Sequence, residues 1–158
     1  MEKPGHLIIC AECGIQVGTG HVMRCLALAQ AWKRAGGAVT FLVREGLAGI
    51  DQRIRAEGML LETLPKESGL SPEALVHTVL SAGSHIAVLD GYGFGAREQV
   101  ALSGAGIRVL TVDDYGPAAE YSVQWVLNQN AYAAPGMYSL TRADTRLLLG
   151  PTYALLRD

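Results

Sequence analysis

A chain of 158 residues that is 49% hydrophobic, with no long polar tract, has the length and apolar content for one globular domain with a sizeable core. Its net charge of −2 leaves no electrostatic footprint for nucleic acid, and two phenylalanines with two tryptophans are too few for a base-stacking platform. No run approaches the roughly 20 apolar residues of a membrane span, and Met1-Glu2-Lys3-Pro4-Gly5 lacks the apolar stretch of a secretory signal, so the expectation is a cytoplasmic protein with neither membrane nor nucleic acid as partner.

Leu7, Ile8, Ile9 and Cys10 read as a short buried strand. After it, Val22, Cys25, Leu26, Ala29 and Trp32 recur at helical spacing until Gly36-Gly37 ends the pattern. The segment Gly18-Thr19-Gly20-His21-Val22-Met23-Arg24 therefore opens a helix at the carboxyl end of the first strand, where ligands bind in an open α/β sheet. Gly18 and Gly20 let backbone N–H groups approach an anion or a sugar closely, and the helix terminus adds positive potential. His21 in that first turn is either a general base or a residue that caps the helix or binds a hydroxyl. As a base it is expected to be neutral at pH 7, because the helix terminus and Arg24, one turn on, both oppose protonation.

Cys10, Cys13 and Cys25 are odd in number, which argues against a disulfide framework. Their order with His21 superficially matches a zinc knuckle, and C-x-x-C alone suggests a redox pair. Cys10 nevertheless belongs to an apolar strand and Cys25 to the buried helix stripe, where free cysteine behaves as a small hydrophobe. No bound metal and no cofactor are expected.

The remaining chain repeats a strand–helix rhythm. Ala38 to Val43 is a second strand, followed by a helix from about Ile50 to Glu57. Met59 to Leu64 is a third strand, and Pro72 to Leu80 a helix with Ser71 as its N-cap. Ile86 to Leu89 is a fourth strand, ending at Asp90, and a helix near Ala96 to Leu102 leads to a fifth at Ile107 to Val112. Short strands follow at Trp125 to Leu127 and Arg146 to Leu149. Unalternating strands separated by helices mean a parallel sheet covered on both faces, a doubly wound, Rossmann-like α/β domain.

Polar residues gather at the predicted carboxyl ends of these strands. Asp90 precedes Gly91-Tyr92-Gly93, which either exposes Tyr92 to a ligand or is an ordinary Asp-Gly turn. Asp113 and Asp114 could hold sugar hydroxyls, cap the next segment or orient a ring nitrogen of His21, but two acids are too few for a metal site. Asn128 and Asn130 offer amides suited to hydroxyls and N-acetyl groups, or simply form a turn. His6, His77 and His85 have no marked local partners and read as surface or element-end residues.

The blocks Gly18-Thr19-Gly20-His21-Val22-Met23-Arg24-Cys25, Asp90-Gly91-Tyr92-Gly93, Val112-Asp113-Asp114, Leu127-Asn128-Gln129-Asn130-Ala131-Tyr132 and Leu147 through Gly150 to Arg157 resemble, in order, the UDP-sugar hydrolases of the pseudaminic acid pathway. The same blocks are similar to the related spore-coat polysaccharide biosynthesis proteins. The resemblance implies the amino-terminal domain of a two-domain, GT-B glycosyltransferase-like enzyme, with the second, nucleotide-binding domain absent from this chain. It further implies that His21 activates water to release UDP from an amino-deoxy sugar nucleotide of the UDP-2,4-diacetamido-2,4,6-trideoxy-hexose type. Tyr92 would face the sugar. The chain departs from the family pattern at Cys10-Ala11-Glu12, where Arg-Ala-Asp is usual, at Gln16, where glutamate is common, and at Gly91, where histidine is common. Loss of that arginine's fixed charge bears on which sugar is accepted and on whether hydrolysis is the reaction. Two alternatives stand beside hydrolysis: the acceptor-binding domain of a GT-B glycosyltransferase, and a non-catalytic or Cys/His metal-binding module.

Overall fold

The computed structural model describes residues 4–64, 70–116 and 120–156, so the first residues of the chain and Arg157 of the last sequence block lie outside the described residues. Seven strands form one all-parallel sheet: β1 (His6–Ala11), β2 (Ala38–Val43), β3 (Leu60–Thr63), β4 (Ile86–Asp90), β5 (Arg108–Val112), β6 (Trp125–Asn128) and β7 (Arg146–Leu149). Their order across the sheet is β3-β2-β1-β4-β5-β6-β7. Among the described residues four α-helices connect them: α1 (Gly20–Arg34), α2 (Ala48–Ala56), α3 (Pro72–Ser81) and α4 (Ala96–Gly104).

Successive residues of β1 go to opposite cores, which is why its sequence is apolar without alternation. Leu7, Ile9 and Ala11 pack under α1 and α2 with Phe41, Val43, Leu26 and Ile54. Ile8 and Cys10 pack under α3 and α4 with Leu42, Leu75, Leu89 and Leu102. The α1 stripe is buried as its spacing predicts at Val22, Cys25, Leu26 and Ala29, whereas Trp32 is only partly buried and donates its indole N–H to the Gly5 carbonyl at 2.9 Å. The third strand is shorter than its apolar run suggests, because it is the sheet edge and only Leu61 of its four residues is buried.

The connections from β5 to β6 and from β6 to β7 contain no α-helix among the described residues. The α1 face of the sheet therefore keeps an apolar groove of about 200 Å³, lined by Trp32, Ile86, Val88, Leu110, Trp125 and Leu148. His6 stands at the start of β1, an element end as its sequence reading has it, and its ring sits between the Ala82 carbonyl, at 2.9 Å, and the Thr40 hydroxyl, at 2.8 Å. Among the described residues no helix is long and apolar enough to cross a membrane.

Candidate functional site

β1 and β4 are neighbours, yet β1 leads into α1 on one face and β4 leads by way of the Gly91-Tyr92-Gly93 turn into α4 on the other. Their carboxyl ends thus flank the point where the winding reverses, the crevice in which open α/β sheets bind ligands. Gly14 and Gly18 exchange backbone hydrogen bonds (3.3 and 2.8 Å) that close the loop before α1, and the positive φ of Gly18, +82°, makes that closure possible. Thr19 is the N-cap through its backbone only, its carbonyl accepting from Met23 N–H at 2.9 Å, and Gly20 lies exposed at the helix start.

His21, Arg24 and Cys25 lie on one face of α1 by the i, i+3, i+4 rule, and that face meets Asp90. The Asp90 side chain is wholly buried and receives four donors. His21 Nδ1 lies 2.7 Å from Oδ1, Arg24 Nη2 donates to the same oxygen at 2.6 Å, Arg24 Nε donates to Oδ2 at 2.7 Å, and the Cys25 thiol donates to Oδ2 at 3.3 Å. A carboxylate held by a guanidinium accepts and does not donate, so in the neutral ring Nδ1 carries the proton and Nε2 keeps its lone pair. Arg24 Nη1 turns the other way and donates to both oxygens of Asp114, at 2.8 and 3.0 Å.

The Asp90 pairing corrects two sequence expectations. Asp90, and neither Asp113 nor Asp114, orients the imidazole. The His21 pKa is raised above 6.5, not lowered: the hydrogen bond to Asp90 is the largest influence, and burial and the Arg24 charge pull the other way without prevailing. Burial also works against the Arg24 charge, yet the bonds to Asp90 and Asp114 push its pKa further up. Asp114 is held below the ordinary carboxylate value because Arg24 and the Asn130 amide outweigh its own desolvation.

The remaining predicted residues divide into those at the site and those behind it. Tyr92 stands at the rim, 68% exposed, its ring edge-on to His21 at 5.5 Å between centroids. Asp113 closes the turn after β5 by accepting from the Tyr115 and Gly116 N–H groups, each at 3.0 Å, and from the Tyr121 hydroxyl at 2.6 Å. Asn128 is fully buried, donating to the Tyr138 hydroxyl at 2.8 Å, and so serves the fold and not the crevice. Asn130 joins the network indirectly, donating to Asp114 at 3.0 Å. A cavity of about 230 Å³ opens beside His21 and Arg24, walled by Tyr92, Phe94, Gln99 and Asp113.

Three contributors lie outside the predicted site residues. Tyr115 stacks on Tyr92, with centroids 6.4 Å apart and planes 16° from parallel, and Tyr132 donates its hydroxyl to the Asp114 carbonyl at 2.7 Å. Glu12 accepts from the N–H groups of Tyr92 and Gly93, at 2.9 and 2.8 Å. Its signal was a carboxylate one residue beyond the first strand, on the site's own edge of the sheet. Of the cysteines, Cys25 reaches the site through its bond to Asp90; burial pushes the Cys10 thiol up to about 12 and Cys25 well above its ordinary value. Among the described residues no three His, Cys, Asp or Glu side chains are grouped to hold a metal ion.

No protein-family model matches the chain, and no curated protein does. Among solved structures the chain is similar to MurG of Acinetobacter baumannii, with a TM-score of 0.58 and 15% identity, over 82% of this chain and 43% of that one. At that identity the likeness establishes the fold, a Rossmann-like α/β domain of the GT-B amino-terminal kind. The chain spans less than half of that structure's length.

Proposed function

We propose that the chain is the base-bearing half of an enzyme that releases UDP from an amino-deoxy sugar nucleotide of the UDP-2,4-diacetamido-2,4,6-trideoxy-hexose type, in surface polysaccharide or nonulosonic acid biosynthesis in the cytoplasm. The observation that carries this reading is the His21–Asp90 pair at the switch point of the sheet, 2.7 Å apart, with Nε2 left as the acceptor. Such a pair is the general-base arrangement in which an acceptor-only group fixes the tautomer and stabilises the imidazolium that forms.

In this scheme Nε2 takes a proton from water as the water oxygen attacks the anomeric carbon. The bond from that carbon to the β-phosphate oxygen breaks, and its electron pair leaves with UDP. Tyr92 supplies an exposed aromatic wall beside the base, and Arg24 and Asp114 hold the pair rigid from behind. A second nucleotide-binding domain, joined to this chain, closes the crevice over the diphosphate.

Glycosyl transfer is the second reading, favoured by the GT-B kind of fold. There the same base deprotonates a sugar hydroxyl of an acceptor instead of water. Product analysis of the two-domain enzyme with a UDP-amino-sugar separates the two. Free reducing sugar with equimolar UDP is the expected result, a glycosylated acceptor establishes transfer, and intact substrate under all conditions contradicts both.

A further inference from the structure

The Gly91-Tyr92-Gly93 turn carries Tyr92, whose exposed ring stands edge-on to His21 and stacks on Tyr115, and the turn is closed by the Phe94 N–H donating to the Gly91 carbonyl at 3.3 Å. Tyr92 is 68% exposed, so its ring gains little from burial. Gly91 adopts a φ of +144°, a conformation that L side chains rarely accept. The turn is further gripped from two sides by Glu12 and Arg44, which lie one residue beyond β1 and β2. Both Glu12 carboxylate oxygens are committed to it, Oε2 accepting from Tyr92 N–H at 2.9 Å and Oε1 from Gly93 N–H at 2.8 Å. Arg44 donates to the Gly93 carbonyl at 3.0 Å and lays its guanidinium over the Phe94 ring, 5.2 Å from its centroid. Glu12 is itself fixed, its N–H donating to the Asp90 carbonyl at 2.9 Å.

Glu12 also fills the volume that a side chain at position 91 would need. A Cβ added to Gly91 would come within 3.0 Å of the Glu12 Cβ, Cγ and Cδ atoms, and one added to Gly93 would press on Arg44 and Glu12 together. The two glycines and the glutamate are therefore one steric unit. Hydrogen bonds from backbone N–H groups to a carboxylate are charge-assisted and stronger than neutral ones. This carboxylate ties down the backbone from which the Tyr92 ring projects to meet Tyr115 and His21.

We propose that Glu12 is a positioning residue for the sugar-binding wall: seated on the Tyr92 and Gly93 N–H groups, it holds the Tyr92 ring edge-on to His21 and so sets the gap in which the sugar is held. The proposal rests on the functional reading above for the word sugar, and on the geometry alone for the placement of Tyr92.

Two measurements test it separately. The first needs no turnover: in the 158-residue chain, the nuclear Overhauser effect between the Tyr92 and His21 rings, 5.5 Å apart at their centroids, reports the placement directly. Glu12→Ala is expected to abolish that signal while amide resonances of α3 and β7 stay unchanged, and Glu12→Gln, which keeps one acceptor oxygen, to retain part of it. The isosteric Gln variant carries the test if the Ala variant fails to fold. In the two-domain enzyme, Glu12→Ala is expected to raise KM for the UDP-amino-sugar about ten- to a hundredfold with a smaller change in kcat, and Glu12→Gln to recover part of the loss. An undiminished ring-to-ring signal in both variants overturns the proposal. A lost signal with KM unmoved overturns the link to the sugar, and absence of any UDP-sugar turnover in the wild-type enzyme defeats the functional reading while leaving the first measurement to stand.

Discussion

At the scale of single residues, one histidine whose proton is placed by a buried carboxylate carries the proposed chemistry. The imidazole must be neutral to accept a proton, and its pKa is raised above 6.5 chiefly by Asp90. Turnover is therefore expected to fall as the pH drops through a value above 6.5. Asp90→Asn removes the carboxylate and is expected to move that limb to lower pH. Titration of the His21 ring by NMR checks both statements, and a wild-type value below 6.5 contradicts them. The sequence made His21, Arg24 and Asp90 legible as neighbours of strand ends, because such positions can be counted from apolar runs. It did not make their pairing legible. The helix-terminus argument for a lowered pKa considered only what is local along the chain, and the decisive partner stands 69 residues away. Asn128 shows the same limit: its side-chain oxygen accepts from the Asn130 N–H at 3.1 Å, the turn that the sequence offers as one reading, and only packing against Tyr138 shows that its amide is spent.

At the scale of elements, the legible features were those with a local physical cause. The apolar runs of β1, β2, β4 and β5 announce strands buried on both faces, and the α1 stripe announces its buried side. Ser71 shows the same directness: followed by Pro72, it caps α3 with its hydroxyl, which accepts from Ala74 N–H at 3.2 Å. Ser71→Ala is expected to cost about 0.5–2 kcal/mol in urea unfolding, with the slope of the transition unchanged. A change within error would show that the bond contributes nothing. The turn-bound parts of the site were less legible, since the Gly91-Tyr92-Gly93 turn is held by Glu12 and Arg44, which follow β1 and β2 far back in the chain.

At the scale of the molecule, the described strands bring His21, Asp90, Tyr92 and Asp114 to the carboxyl-terminal edge of the sheet, beside a cavity. The cavity there measures about 230 Å³, below the roughly 300–1,000 Å³ of sites that enclose a drug-sized ligand. Calorimetry with UDP on the 158-residue chain is accordingly expected to show no micromolar binding, and a micromolar Kd would contradict the two-domain reading. The central claim is that His21 is the base. Its most direct test is His21→Ala in the two-domain enzyme, with UDP release followed against UDP-amino-sugar concentration. The account predicts a fall in kcat of about 10²–10⁴-fold with KM little changed, whereas near-normal turnover would remove His21 from the mechanism.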